Sequence, residues 1–303
     1  MSIACRIPCF ASAARRGPAW RAWIAALAAG FLLAWPGAAR PAELPGLVID
    51  VQGGATVAGG GRVGILAGLA PGAEVSLAPG ARVTVLDSAS GRQFELLGPG
   101  AFRWSNGAME IVRPGKLVAR APGSASMKEV RLRTARIAQA SISMRGGETA
   151  RPVRLAFPVS TWLLERPAAF RWEPVSGAKS YRFQLTDASG RPLHEARTAA
   201  TSIELPAAVA LEAGHTYGWQ VWAELADGAA PEGWTEFGLA GAELRARVER
   251  DRPAADARFG DRVLYALLLE ELGMREDAAA HWRRLAAERA DDPDLAARAR
   301  TPG

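Results

Sequence analysis

Short apolar runs separated by Pro-Gly pairs fill residues 47–121. Residues 69–76 (LAPGAEVS) are followed at once by residues 77–84 (LAPGARVT), which repeat them almost unchanged. Proline presets the first dihedral angle of a turn and glycine accepts a positive φ, so each repeat predicts one strand and one turn. Further reversals are predicted at Pro99-Gly100 and Pro114-Gly115, and the polar residues 87–91 predict a hairpin loop.

The pattern changes to longer alternating strands between residues 156 and 239. Apolar and polar positions alternate with a period of two, which is typical of strands with one buried face. One predicted strand places Tyr181, Phe183 and Leu185 on a single face, and another does so for the four residues Tyr217, Trp219, Val221 and Ala223. After Gly241 the apolar spacing becomes three and four, which predicts helices over 261–272 and 275–288. Gly273 is expected to end the first helix, and Asp292-Pro293 to stop the second.

The first β-rich region resembles the FecR-type periplasmic β-domain. The pattern runs from Gly53 to Trp104: a glycine-led strand, a leucine with a spaced glycine, a small-residue strand, and a strand ending in a polar glycine loop. Ala73 and Ala81 stand where the family usually has aspartate. FecR itself has a cytoplasmic segment and a membrane helix before this domain and signals to a sigma factor. Because an export signal precedes the domain here, the resemblance implies the β-module over 43–125 and not the regulatory role.

The second β-rich region resembles a fibronectin type III domain. The spacing Leu211-x-x-Gly214-x-x-Tyr217-x-Trp219 continues to Val221 and Ala223, and it matches the family's signature in which the tyrosine hydroxyl bonds the preceding corner. Trp172 matches the family's core tryptophan on an early strand, and residues 234–237 match its last strand. The resemblance implies a β-sandwich over 151–240 that serves for binding or spacing.

The carboxyl-terminal residues 241–303 resemble one tetratricopeptide unit, through Leu272-Gly273, then Ala278-x-x-x-Trp282, then a later proline. Arrays of this kind usually need about three repeats to bury their apolar faces. We therefore expect the hairpin to dock through the face that carries Leu268 and Trp282, either on the fibronectin-like sheet or on a partner protein. The predicted fold class is mainly β and multidomain: a FecR-like β-domain, a fibronectin type III-like sandwich and a short α-helical hairpin.

Residues 1–42 have the layout of an export signal. A start containing arginine and no acid precedes the apolar residues 22–35, and small residues around Gly37 and Ala39 suit a signal peptidase. Cleavage is expected after Ala39, with Ala42 as the second choice and an uncleaved anchor as the alternative. Both cysteines, Cys5 and Cys9, lie in this segment, so the mature chain is expected to lack disulfides. We predict a periplasmic or secreted protein without an integral membrane span after cleavage.

Charge narrows the choice of partners. From Glu43 onward the chain has 32 basic and 31 acidic side chains, which removes the sustained positive field that nucleic-acid binding needs. Residues 113–145 are a local exception at +7, with Arg131, Arg133 and Arg136 at the centre of the run. Residues 126–150 are interpreted as a basic connector that could contain a strand, and the alternative is a surface for an anionic envelope polymer.

The sequence does not favour catalysis. The three histidines His194, His215 and His281 do not share a metal-ligand spacing, and the Gly-x-Ser-x-Gly and Gly-x-x-x-x-Gly-Lys motifs do not occur. We therefore expect a protein that is not an enzyme and has no catalytic residue, cofactor or metal.

Two hypotheses for function remain. The first is an envelope adaptor that binds a protein partner, and the second is a glycan- or cell-wall-binding protein that assists an envelope enzyme. Trp104 and Trp222 distinguish them: exposure of Trp222 beside other aromatic residues favours the glycan hypothesis, and burial under the hairpin favours the adaptor. The predicted interaction residues are Trp104, Trp222, Leu268, Trp282, Arg131, Arg133 and Arg136.

Overall fold

A computed structural model describes residues 46–121 and 152–300. The predicted signal segment 1–42 and the predicted connector 126–150, which includes Arg131, Arg133 and Arg136, lie outside the described residues. The described residues belong to one compact unit. They form two pairs of β-sheets followed by helices, so the prediction of a mainly β chain is confirmed.

The first pair of sheets, called here the first sandwich, spans residues 46–120. Its strands are β1 (Gly46–Gln52), β2 (Ala55–Val57), β3 (Gly68–Leu69), β4 (Glu74–Leu77), β5 (Arg82–Asp87), β6 (Gln93–Leu97), β7 (Gly100–Ser105), β8 (Ala108–Arg113) and β9 (Lys116–Arg120). One sheet has the order β3-β1-β5-β6-β9 and the other has the order β2-β4-β7-β8. Phe94 of the first sheet meets Trp104 of the second edge to face, with ring centroids 5.9 Å apart.

The turns of the first sandwich form where the Pro-Gly pairs predict them. Gly72 and Gly80 have φ values of +85° and +77°, which a side chain with a Cβ atom rarely adopts. Each lies between strands, as the repeat predicts. The polar hairpin loop over residues 87–91 joins β5 to β6, and these two strands pair antiparallel.

The second pair of sheets, the second sandwich, spans residues 155–239. Its strands are β10 (Leu155–Phe157), β11 (Thr161–Leu163), β12 (Ala169–Trp172), β13 (Ala178–Asp187), β14 (Pro192–Thr198), β15 (Ser202–Glu204), β16 (Thr216–Leu225) and β17 (Glu232–Leu239). The sheets have the orders β10-β12-β15 and β11-β17-β16-β13-β14. The two predicted apolar faces, on β13 and on β16, are buried in one core. The hydroxyl of Tyr217 donates to the carbonyl oxygen of Glu212 at 3.2 Å, so the predicted bond to the preceding corner is present.

Four helices follow: α1 (Ala242–Asp251), α2 (Phe259–Glu271), α3 (Arg275–Glu288) and α4 (Pro293–Arg300). The bounds of α3 agree with the prediction, and Gly273, with a φ of +73°, separates α2 from α3. The sequence pattern did not predict α1 or α4, and Asp292-Pro293, which was expected only to stop α3, lies at the start of α4. The Asp292 carboxylate accepts hydrogen bonds from the backbone N–H groups of Asp294 and Leu295, at 2.9 and 3.2 Å, and so caps α4.

The helices pack mainly on the first sandwich. The buried apolar residues of α2 and α3 and those of the first sandwich form one continuous core, whereas the second sandwich has its own core. The expectation that the hairpin docks on the fibronectin-like sheet is therefore wrong, because its apolar face packs on the first sandwich. The first sandwich fits the helices in shape and in charge. Gly260 of α2 approaches Ile49 so closely that an added Cβ would lie 2.9 Å from the isoleucine Cδ1. Arg289 donates to the Asp50 carboxylate at 2.6 Å.

One turn of the helical layer also contacts the second sandwich. The carbonyl oxygen of Gly273 accepts the backbone N–H of Trp162 at 2.9 Å, and the Thr161 hydroxyl accepts the backbone N–H of Arg275 at 3.0 Å. The helices therefore connect the two sandwiches.

Candidate functional site

The outer face of the second sandwich carries the largest exposed apolar side chain in the described residues. This outer face belongs to the sheet β11-β17-β16-β13-β14 and is formed by side chains that alternate with the buried ones. It contains the following residues: Ser180, Arg182, Gln184 and Thr186 of β13, Glu195 and Arg197 of β14, Gly218, Gln220, Trp222 and Glu224 of β16, and Glu232, Trp234 and Glu236 of β17. Two tryptophans thus share a polar sheet surface.

Trp234 projects from β17 and is 59% exposed. It pairs with Gln220 across the strands, and its indole reaches over Gly218, where an added Cβ would lie 3.3 Å from Nε1. Glycine at 218 therefore leaves the room that the ring occupies. The exposed fraction shows that much of the indole remains in contact with solvent.

Trp222 lies on the neighbouring strand β16 and is half-buried. The Arg182 guanidinium carbon sits 4.2 Å from its ring centroid, a cation–π contact that covers one side of the indole. Trp222 pairs with Glu232, two residues from Trp234, so the two tryptophans are diagonal neighbours on this surface.

Polar side chains around the tryptophans hydrogen-bond to one another. The Gln184 amide donates to the Glu195 carboxylate at 2.6 Å, and the Gln220 amide donates to the Glu232 carboxylate at 2.7 Å. A hydrogen bond from the Ser180 hydroxyl lowers the pKa of the Glu224 carboxyl, and a hydrogen bond from the Arg197 guanidinium lowers it further. The surface is therefore an ordered array of amides, carboxylates and guanidinium groups, which all exchange hydrogen bonds readily with hydroxyl groups.

A cleft lies between the second sandwich and the helices. This cleft has a volume of about 560 Å³, and its lining includes Phe157, Arg171, Arg252, Glu276 and Asp277. Burial raises the pKa of both Glu276 and Asp277, and the Arg171 guanidinium lies 4.9 Å from the Phe157 ring. The two carboxylates lie in the first turn of α3, where the helix dipole stabilises negative charge. That structural role accounts for their position without a ligand.

Near this cleft, burial is the main cause that lowers the pKa of His281 to about 4. The folded state then binds fewer protons than the unfolded state between pH 6.5 and 4, so His281 makes folding less favourable as the pH falls through that range. The pKa values of Glu276 and Asp277 are raised, so these groups bind more protons in the folded state and make folding more favourable as the pH falls. Between pH 7 and 4, we expect the free energy of unfolding to fall by about 1–2 kcal/mol more in the wild-type chain than in His281→Gln. This difference is smaller than the full pKa shift would give, because solvent screens the half-buried ring.

Urea denaturation at a series of pH values measures this difference. If His281→Gln loses as much stability on acidification as the wild-type chain, the assignment of the proton uptake to His281 is wrong.

The predicted interaction residues occupy different environments. Trp104 is fully buried in the first sandwich, so its ring belongs to the core. Leu268 and Trp282 are each 1% exposed and contribute to the core that the helices share with the first sandwich. Trp222 alone of the described predicted residues lies on a surface, and its ring is covered by Arg182 and not by the hairpin.

Trp234 was not predicted as an interaction residue. The signal was present, because Trp234 and Glu236 alternate with the buried Thr235 and Phe237 along the last strand. The resemblance matched residues 234–237 to the last strand of the family and did not assign Trp234 to either face of that strand. Within residues 46–121 and 152–300, no group of three or more metal-ligating side chains could hold a metal ion. No helix in the same residues is long and apolar enough to cross a membrane.

Comparison with known proteins adds two distant structural likenesses. No protein-family model matches the chain, and the search of curated proteins gives no match. CopC from Methylosinus trichosporium OB3b is 19% identical, with a TM-score of 0.23, over 29% of this chain and 93% of that protein. The twitchin kinase region from C. elegans is 21% identical, with a TM-score of 0.20, over 28% of this chain and 16% of that one.

Proposed function

We propose that the chain is a non-enzymatic binding protein of the cell envelope, and that the outer face of the second sandwich is its binding surface. The observation that carries the proposal is Trp234, a large aromatic side chain that is 59% exposed on a hydrogen-bonded polar sheet face. Aromatic side chains are enriched where proteins bind other molecules, because they bury a large area at a small cost in side-chain entropy.

The position of the helices also supports this choice of surface. Leu268 and Trp282, the residues expected to reach a partner, are buried within the chain's own core. A binding function then needs another surface, and the outer face offers one. The helices would serve to join the two sandwiches, through Asp50 and Arg289 on one side and Trp162 and Gly273 on the other.

The families to which the two sandwiches and the helical hairpin are similar are part of the same proposal. We propose that the first sandwich is a FecR-like module, that the second is fibronectin type III-like, and that α2 and α3 form a tetratricopeptide-like hairpin. The corner bond of Tyr217 to Glu212 and the buried Trp172 support the second of these. Residues 1–42 would direct export to the periplasm.

Chemical crosslinking in the protein's own envelope tests the function. The wild-type chain should yield crosslinked adducts with an envelope component, and the double variant Trp222→Ala/Trp234→Ala should lose them. Ile111→Ala is the matched control, because Ile111 is 52% exposed on the first sandwich. Equal recovery of adducts with the double variant and the wild-type chain would show that the outer face is not the binding surface.

A further inference from the structure

We propose that the outer face binds an uncharged polysaccharide, whose sugar rings stack on Trp234 and pack against the pair formed by Trp222 and Arg182. This inference rests on the proposed function and names the chemical class of its ligand. A sugar ring has apolar C–H faces and a rim of hydroxyl groups, so it needs an aromatic surface beside groups that donate and accept hydrogen bonds.

Trp234 provides the aromatic surface. Its indole reaches over Gly218, and 59% of the side chain stays exposed. The strand β17 and its neighbour β16 hold the backbone on both sides of this residue in one register, from Thr216 opposite Gly238 to Trp222 opposite Glu232. The ring is thus displayed by the sheet and not by a loop, which keeps the entropy cost of binding small.

Trp222 and Arg182 provide the second contact. The diagonal relation between Trp222 and Trp234 separates their Cα atoms by about 7–8 Å. The Trp234 indole extends over Gly218, on the side away from Trp222, so the two rings lie farther apart than the Cα atoms. Two contacts spaced in this way suit a ligand made of consecutive rings better than a single small molecule. The Arg182 guanidinium carbon lies 4.2 Å from the Trp222 centroid, and an arginine placed over a ring can still donate hydrogen bonds to hydroxyl groups through its planar N–H groups.

The charges of the outer face argue against a polyanion. The carboxylates of Glu195, Glu224, Glu232 and Glu236 outnumber the guanidinium groups of Arg182 and Arg197. An anionic polymer would meet net repulsion here, whereas a neutral glycan would not. A protein partner would favour a continuous apolar centre, but amides and charged groups surround both tryptophans.

Binding to purified glycans tests the inference. The folded mature chain should sediment with insoluble chitin and with insoluble cellulose, which are two uncharged polysaccharides. Trp234→Ala should weaken binding about tenfold or more, as expected for a tryptophan at the centre of an interface. Trp234→Phe retains an aromatic face and should lose less affinity than Trp234→Leu, which retains only apolar area. Ile111→Ala should bind as the wild-type chain does, and thermal unfolding should be the same for all variants.

The outcomes separate the ligand class from the function. Failure of the wild-type chain to bind either glycan, or equal binding by Trp234→Ala, overturns the polysaccharide assignment. If envelope adducts are still lost from the double variant in that case, the outer face binds a protein partner and the proposed function stands. Retention on an anionic polymer such as heparin with the same dependence on Trp234 would also overturn the assignment. If neither glycans nor envelope adducts depend on the two tryptophans, both proposals are wrong.

Discussion

Trp282→Ala should lower the free energy of unfolding of the first sandwich and its helices by about 3–5 kcal/mol, the usual cost of removing a fully buried large aromatic side chain. Trp282 is 1% exposed within the core that α2, α3 and the first sandwich share. Its Nε1 donates to the Glu270 carboxylate at 2.8 Å, and the Arg298 guanidinium, 5.6 Å from the ring centroid, binds the same carboxylate at 2.9 Å. The alanine variant therefore loses packing and also leaves a hydrogen-bond acceptor with one donor fewer.

Chemical denaturation followed by tryptophan fluorescence and circular dichroism measures the effect. Trp234→Ala is the matched control, because the same substitution at an exposed position should cost no more than about 0.5 kcal/mol. A loss at Trp282 as small as the loss at Trp234 would contradict the burial of the helical layer.

Trp219→Ala should be the most damaging substitution in the second sandwich, again by about 3–5 kcal/mol. Trp219 is 1% exposed, its ring centroid lies 5.2 Å from that of Phe170 and 6.1 Å from that of Phe183, and its Nε1 donates to the carbonyl oxygen of Pro158 at 2.7 Å. The substitution removes an aromatic side chain that touches both sheets, and it leaves a buried carbonyl group without its donor.

This loss should appear in the second sandwich, because the two cores contain different residues. Urea denaturation monitored by backbone signals of β13 and β16 measures it. An unfolding midpoint unchanged from the wild-type protein would show that Trp219 does not occupy the core.

Local chemistry made much of the fold predictable. The turns at Gly72 and Gly80 follow from the backbone freedom of glycine, and the buried faces of β13 and β16 follow from period-two alternation. The start and end of α3 are encoded within a few residues by Gly273 and by the apolar spacing. Each of these features depends on neighbours in sequence.

Features that depend on distant residues were not predictable in the same way. The amphipathic pattern shows that Leu268 and Trp282 need a partner surface, but it contains no information on which of two sheets supplies that surface. The choice depends on Ile49 and Asp50, more than 200 residues earlier in the chain, which meet Gly260 and Arg289. Asp292-Pro293 was ambiguous for a related reason, because the same dipeptide can follow one helix and cap the next.

The candidate site was also predictable only where it depends on neighbours in sequence. Alternation along the strand puts Trp222 and Trp219 on opposite faces of β16, and the structure places Trp222 on the outer face. Trp104 lies on the same face of β7 as the buried Phe102, on the side away from the exposed Arg103, and it packs against Phe94 of the other sheet. The exposure of Trp234 depends on the outer face staying uncovered, which no local pattern reports.

Hydrogen exchange resolved to individual segments in the Trp282→Ala chain tests the central claim, that the helices complete the core of the first sandwich, most directly. Exchange reports the local opening of each strand, so it identifies which sandwich the helices stabilise. We expect faster exchange in α2, α3, β1 and β5, with wild-type protection retained in β13 and β16. Faster exchange in β13 and β16, with β1 and β5 unchanged, would show that the helices complete the core of the second sandwich and not that of the first.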